Sequence, residues 1–173
     1  GLMRNTRVEN VAEHSFQTAV IAHALACIEK TVFGENANPE KAAALAIYHE
    51  TAEVITGDLP TPVKYFNNEI RTAYKDLEKY AEQKLLDGLP EELKNEIGAL
   101  VSPPDCIEKR LVKYADKLAA YIKCIEEKTC GNTEFDNALI STEKELKSYK
   151  SKSVNYFIEN FVGAYYKNLD QLI

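Results

Sequence analysis

Apolar residues recur along this chain at steps of three and four almost from end to end, the spacing of helices with one buried side. Over residues 11–28 the recurring positions are Phe16, Val20, Ile21, Ala24, Leu25 and Ile28, which predicts a helix burying that stripe. A second helix has a legible start. Asn38 can cap it, Pro39 suits the first helical position because its missing N–H would be unpaired there, and Glu40 complements the helix dipole. It is expected to run to about Ile55. The block 42–47, apolar on every side, marks it as the central helix of the fold. Residues 56–62 then break it: Gly57 can close a helix, and Pro60 and Pro62 prevent its resumption.

Polar amphipathic patterns follow at 68–86 and 90–101, stopped by Asp87-Gly88 and by Ser102-Pro103-Pro104. Asp105 offers a cap for a long stretch, 106–129, with apolar positions Leu111, Tyr114, Ala115, Leu118, Tyr121, Ile122 and Ile125. Gly131-Asn132 ends it, and two further amphipathic helices are expected at 133–149 and 153–169. There is no internal repeat, no low-complexity segment and no run of strands. The expectation is one all-α domain over 1–173, an irregular helical bundle around the helix that carries His49.

Composition narrows the function. With 173 residues, 45% of them hydrophobic, the chain can bury a real core. Lys and Arg number 21 against 27 Asp and Glu, a net charge of −6. An acidic chain lacks the general attraction for phosphate backbones, so no nucleic-acid polymer is expected as a partner, and any phosphate handled is local and small. No apolar stretch approaches the roughly 20 residues needed to span a bilayer, and no signal-peptide pattern is visible. The first residue is Gly1 rather than Met, so the start is expected to be processed, engineered or incomplete. None of the four cysteines, Cys27, Cys106, Cys124 and Cys130, forms a CxxC pair. They read as reduced thiols of a cytoplasmic protein.

Chemistry is suggested where polar residues interrupt apolar helices. His49-Glu50 follows a wholly apolar run, and Asp116 sits between Tyr114-Ala115 and Leu118-Ala119-Ala120. A charged group in such a place is costly unless it is paired or bound to metal. His14 lies near the beginning of the first apolar stripe. Imidazole and carboxylate donors together suit a divalent transition metal such as Mn, Co, Fe or Zn, and four of them leave positions open for water and substrate. Glu53, three residues after Glu50 and four after His49, projects from the same side of a helix. Asp58 lies just past the break, in a loop able to fold back over that face. Bland readings stand beside these. His49 also fits a core histidine bonded to a backbone carbonyl, and Asp116 taken singly fits a buried partner of Lys113 or Lys117. His23, nine residues after His14, falls about 180° round the helix and is assigned to structure. Glu13, Glu78 and Glu82 read as solvated faces.

The strings around these residues resemble the HD-domain phosphohydrolases, and within them the bacterial 5′-deoxynucleotidases of the YfbR type. They are 3–15 (MRNTRVENVAEHS), 48–65 (YHETAEVITGDLPTPVKY) and 111–118 (LVKYADKL). The resemblance implies a cytoplasmic homodimer that hydrolyses deoxyribonucleoside 5′-monophosphates with one divalent transition metal, Co, Mn, Zn or Fe. It implies His14, His49, Glu50 and Asp116 as metal ligands and Glu53 and Asp58 as the groups managing protons. Asp58, Leu59, Pro60 and Thr61 would line the nucleotide pocket. Two departures follow. The family's Asp is here Glu50, one methylene longer, which points to retuned metal choice and rate. The family's Arg-Trp pair falls before the stretch matching Met3, and this chain has no Trp. Arg4 and Arg7 are then candidate phosphate contacts. An HD enzyme acting on another nucleotide, or a decayed nucleotide-binding protein, has the same site residues.

Overall fold

The computed structural model describes residues 4–171, which are helical with no strand among them. Helix α1 (Val11–Thr31) starts at a reciprocal cap. The Asn10 side chain accepts the Glu13 N–H at 3.0 Å, and the Glu13 carboxylate accepts the Asn10 N–H at 3.1 Å. Glu13 is therefore a capping residue rather than a merely solvated one. Helix α2 (Pro39–Tyr48) begins as expected, with the Asn38 side chain accepting the Lys41 N–H.

Its end is not where the apolar pattern puts it. The expected continuation to Ile55 is interrupted at Tyr48, because side chains take the carbonyls that a continuing helix needs. The His49 ring Nδ1 bonds the Ala46 carbonyl at 2.6 Å, and the Thr51 hydroxyl donates to the Tyr48 carbonyl at 2.6 Å. In a continued helix those carbonyls would accept the N–H groups of residues 50 and 52. The backbone instead makes three-residue bonds, Thr51 N–H to Tyr48 and Glu53 N–H to Glu50. One helical turn follows, α3 (Glu53–Thr56), closed by Gly57 at φ 69°, a left-handed conformation that glycine adopts at little steric cost. A second turn is α4 (Thr61–Lys64).

Helices α5 (Asn68–Asp87) and α6 (Glu91–Val101) pack on each other. The long helix α7 (Ile107–Thr129) is capped by Cys106, not by Asp105 as expected. Cys106 holds the extended cap conformation, and its Sγ accepts the Lys109 N–H at 3.5 Å. Helix α8 (Asp136–Ser148) follows, then α9 (Lys152–Asn160), beyond which the expected helix tightens into 3-10 turns at Val162–Tyr166 and Leu169–Gln171.

The core is made where α1, α2 and α7 meet, with α8 and α9 closing it. Leu25, Leu111, Leu118, Ile122, Ile125, Leu146 and Val154 are fully buried, each contributing about 1.5–3 kcal/mol of transfer free energy. The apolar positions expected on α7 are buried, Tyr114 only partly. The centre of the bundle is α7 rather than α2, whose Ile47 is 56% exposed. On α1 the phase also differs. Ile21, Leu25 and Ile28 are buried as expected, but Phe16 and Val20 are 71% and 55% exposed. Small residues, Ser15, Thr18, Ala19, Ala22 and Ala26, take the inward positions and let the neighbouring helices approach closely. Among the described residues, no helix is long and apolar enough to cross a membrane.

Candidate metal centre

Four side chains from three distant parts of the chain converge. His14 sits in the first turns of α1, His49 and Glu50 in the turn after α2, and Asp116 in mid-α7. One donor atom from each lies within 4.8 Å of all the others. His14 Nε2 is 3.1 Å from Asp116 Oδ1 and 3.7 Å from Glu50 Oε1, and Glu50 Oε1 is also 3.7 Å from His49 Nε2. Ligands held at about 2.1 Å from one cation are separated by roughly 3.0–3.4 Å, so these spacings need only small rotamer adjustments.

The chemistry of the donors agrees with the spacing. His49 uses Nδ1 on the Ala46 carbonyl, which fixes that nitrogen as the protonated one. Its Nε2 is buried with no hydrogen-bond partner. An unpartnered lone pair aimed into two carboxylates and a second imidazole fits a cation, and the donor set suits a divalent transition ion. Both bland readings are thus resolved in part. His49 does bond a backbone carbonyl, but with the nitrogen facing away from the cluster. Asp116 pairs with His14, whereas Lys117 pairs with Glu145 at 3.1 Å and Lys113 lies over the Tyr149 ring.

Electrostatics follow from this crowding. Burial works against charge on His14, yet the carboxylates of Asp116, Glu9 and Glu50 outweigh it and raise its pKa to about 10. Burial pushes the Glu50 carboxyl up, partly offset by His14 and His49. Asp116 is held below the usual carboxylate range: burial opposes this, and His14 and His49 overcome it. A cation placed here replaces a proton on imidazole and relieves the repulsion between carboxylates.

A cavity of about 1200 Å³ opens over the cluster and holds Glu53, Asp58 and Pro60 on its wall. Glu53 is half-buried, and burial raises its pKa against the opposing pull of Lys64. Asp58 is exposed at the rim, Leu59 is half-buried beside it, and the side chain of Thr61 lies outside what is described. Arg4 is engaged with Glu134 at 3.3 Å, and Arg7 is exposed; besides His14, the basic residues on the cavity wall are Lys117 and Lys123. His23 lies on the exposed side of α1, against Cys27.

Several functional features escaped the sequence reading. The loop carrying Asp58 is held from α5, where buried Tyr74 donates its hydroxyl to the Gly57 carbonyl at 2.8 Å. Lys64 lies over the same ring and pairs with Glu78 at 2.7 Å, so Glu78 belongs to this support rather than to a solvated face. The far wall of the cavity comes from α8 and its approach, with Phe135, Asn137, Ser141 and Thr142. Only the amphipathic pattern of α8 was visible beforehand, and that carries no sign of a ligand surface.

The chain is similar to known proteins over nearly its whole length. A family model described as 5′-deoxynucleotidase YfbR-like matches residues 1–165. A 5′-deoxynucleotidase of Enterobacter sp. (strain 638) is 51% identical over 173 residues, covering 99% of this chain and 87% of that protein. The 5′-deoxynucleotidase YfbR of Escherichia coli is 50% identical with the same coverage. Among solved structures, an HD-domain phosphohydrolase from Listeria innocua superposes with a TM-score of 0.82 at 23% identity, over 93% of this chain and 79% of that one. That likeness shows the fold.

Proposed function

From its membership of the YfbR-like 5′-deoxynucleotidase family, to which the chain belongs, we propose that it is a metal-dependent phosphohydrolase cleaving nucleoside 5′-monophosphates, with deoxyribonucleotides preferred. The observation that carries this reading is the convergence of His14, His49, Glu50 and Asp116 beneath a cavity wide enough for a nucleotide. These four would hold one divalent cation, Co, Mn, Zn or Fe. When bound, such an ion supplies Lewis acidity toward the phosphoryl group and lowers the pKa of water.

The remaining chemistry belongs to the chain. Carboxylates on the cavity wall outnumber lysines seven to two, and both lysines are paired with glutamates, at 3.1 Å and 3.2 Å. A phosphate dianion is repelled by such a surface unless cationic charge offsets it, which is the physical ground for metal dependence. Hydrolysis of a phosphomonoester takes one proton from the attacking water and delivers one to the departing 5′-oxygen. Glu53, raised by burial, is suited to the first transfer, and Asp58 at the rim to the second. Asp58, Leu59, Pro60 and Thr61 would seat the nucleotide.

The proposal extends to a single-domain, cytoplasmic homodimer. Phe16 and Val20 on α1 and Ile47 on α2 expose apolar surface in stretches without a charged side chain, which supports self-association. Sedimentation at micromolar concentration tests that. For the activity, phosphate release is measured from dAMP, AMP and the corresponding triphosphates with added Co²⁺, Mn²⁺ or Zn²⁺. Turnover of monophosphates, lost on chelation, is expected. Rapid triphosphate hydrolysis with inert monophosphates would reverse the assignment.

A further inference from the structure

The two histidines of the centre differ in what stands behind them. His49 has a backbone carbonyl on its outer nitrogen, at 2.6 Å. His14 turns Nε2 toward Asp116 and Glu50, and its outer nitrogen, Nδ1, faces the carboxylate of Glu9 at 3.7 Å. Both side chains are largely buried, 18% exposed each. The separation is a little beyond hydrogen-bond range, so a small rotation of either side chain completes the contact.

Glu9 is not held there by its own helix. It lies in the irregular segment before α1, and that segment is tied down by a buried carboxylate on α7. Glu127, 1% exposed, accepts the Thr6 N–H at 2.8 Å, the Thr6 hydroxyl at 2.8 Å and the Asn132 amide at 2.7 Å. Its other oxygen faces Lys123 Nζ at 3.2 Å and the Arg7 N–H at 3.5 Å. The same partners also take the segment's carbonyls: Lys123 donates to Arg7 at 2.8 Å, and Asn132 to Arg4 at 2.9 Å. A stretch with no regular structure is thereby fixed at both backbone donors and acceptors, and Glu9 is delivered to one place.

We infer that residues 4–10 form a positioning strap for the metal centre, in which Glu9 is the outer partner of His14, accepting its Nδ1–H and aiming Nε2 at the cation. Carboxylates behind metal-bound imidazoles fix ring orientation and tautomer, and losing one typically weakens metal binding by about 10–100-fold. Glu9 is a positioning residue and has no direct part in hydrolysis. The inference rests on the reading of His14 as a ligand.

The test compares the full chain with Glu9→Ala and Glu9→Gln. Co²⁺ affinity is read from its visible absorption, and the protonated ring nitrogen of His14 from ¹⁵N imidazole shifts in the Zn²⁺-loaded protein. Glu9→Ala is expected to weaken Co²⁺ binding about tenfold or more and to disturb the His14 signals, with the helical content of the metal-free protein, read by circular dichroism, that of the parent. Glu9→Gln, whose amide oxygen accepts the same N–H, is expected to restore part of the affinity. If both variants bind Co²⁺ as the parent does, with unaltered His14 shifts, the inference is overturned while the metal centre stands. A parent protein that binds no Co²⁺, or binds it equally after His14→Ala, would overturn the metal reading itself.

Discussion

Glu127 offers a stability measurement whose size is set by the structure. Its carboxylate is 1% exposed and faces five donors on Thr6, Arg7, Lys123 and Asn132. Burial alone would raise its pKa, but the Thr6 N–H, Asn132, the Thr6 hydroxyl and Lys123 outweigh that and hold it at about 2, against an ordinary value of 4.5. A difference of about 2.5 pH units corresponds to about 3 kcal/mol favouring the folded state. Because the folded pKa is the lower one, this contribution is complete above pH 4.5 and is lost as pH falls toward 2. An independent route gives a similar figure: removing one side of a buried ion pair costs about 3–5 kcal/mol, since Lys123 loses its counter-charge and the Thr6 and Arg7 N–H groups lose their acceptor. Glu127→Ala is therefore expected to lower the unfolding free energy at pH 7 by about 3–5 kcal/mol in urea, and Tm by about 10 °C. The gap between parent and variant is expected to narrow steadily from pH 5 to pH 2. A loss below about 1 kcal/mol, or a gap that does not change with pH, would refute the argument.

Replacing Glu53 by Gln is expected to reduce turnover about 10²–10⁴-fold while Co²⁺ affinity, read by titration, stays close to that of the parent. Loss of the metal as well would place Glu53 among the ligands. Glu50→Asp shortens this side chain by one methylene and is expected to keep or raise dAMP hydrolysis, with an altered order of metal preference; a loss of about a hundredfold would mean that the site is built around the longer side chain. Tyr74→Phe removes the hydroxyl that holds the Gly57 carbonyl and with it the Asp58 loop. It is expected to cost about 1 kcal/mol in stability and to lower kcat/KM several-fold, and unchanged kinetics would show that the loop does not need this support.

The helical class and most helix starts were legible because they depend on local signals: apolar spacing, Asn38 before Pro39, Gly57 and the prolines. Of the four converging residues, His49, Glu50 and Asp116 were legible as polar interruptions of apolar runs, and the resemblance to the HD-domain phosphohydrolases joined His14 to them. What escaped has a different origin. Periodicity gives the repeat of a buried stripe but not its phase, and on α1 the small residues Ser15, Thr18, Ala19 and Ala22 took the inside from Phe16 and Val20. Lys123 and Glu127 look like an ordinary surface pair on α7 until residues 6 and 7, some 120 positions earlier, are laid against them. Tyr74 belongs to a polar helix, and only the fold brings its hydroxyl to Gly57.

The interruption of α2 and the chemistry of the site are one feature seen twice. In a continued helix His49 and Glu50 would point about 100° apart, and a single cation could satisfy both only between those directions. The His49 ring ends the helix by occupying the Ala46 carbonyl, and the same bond commits its Nδ1 and leaves Nε2 directed inward. In the tighter three-residue turns that follow, Glu50 places one oxygen equally far, 3.7 Å, from the Nε2 atoms of His14 and His49. The extra methylene relative to Asp lies in that short turn, outside the bodies of α1 and α7. A longer carboxylate at this position therefore still reaches the other three donors. A turn held by single three-residue bonds, Thr51 N–H to Tyr48 and Glu53 N–H to Glu50, gives up less on a small shift than the long helices that supply His14 and Asp116.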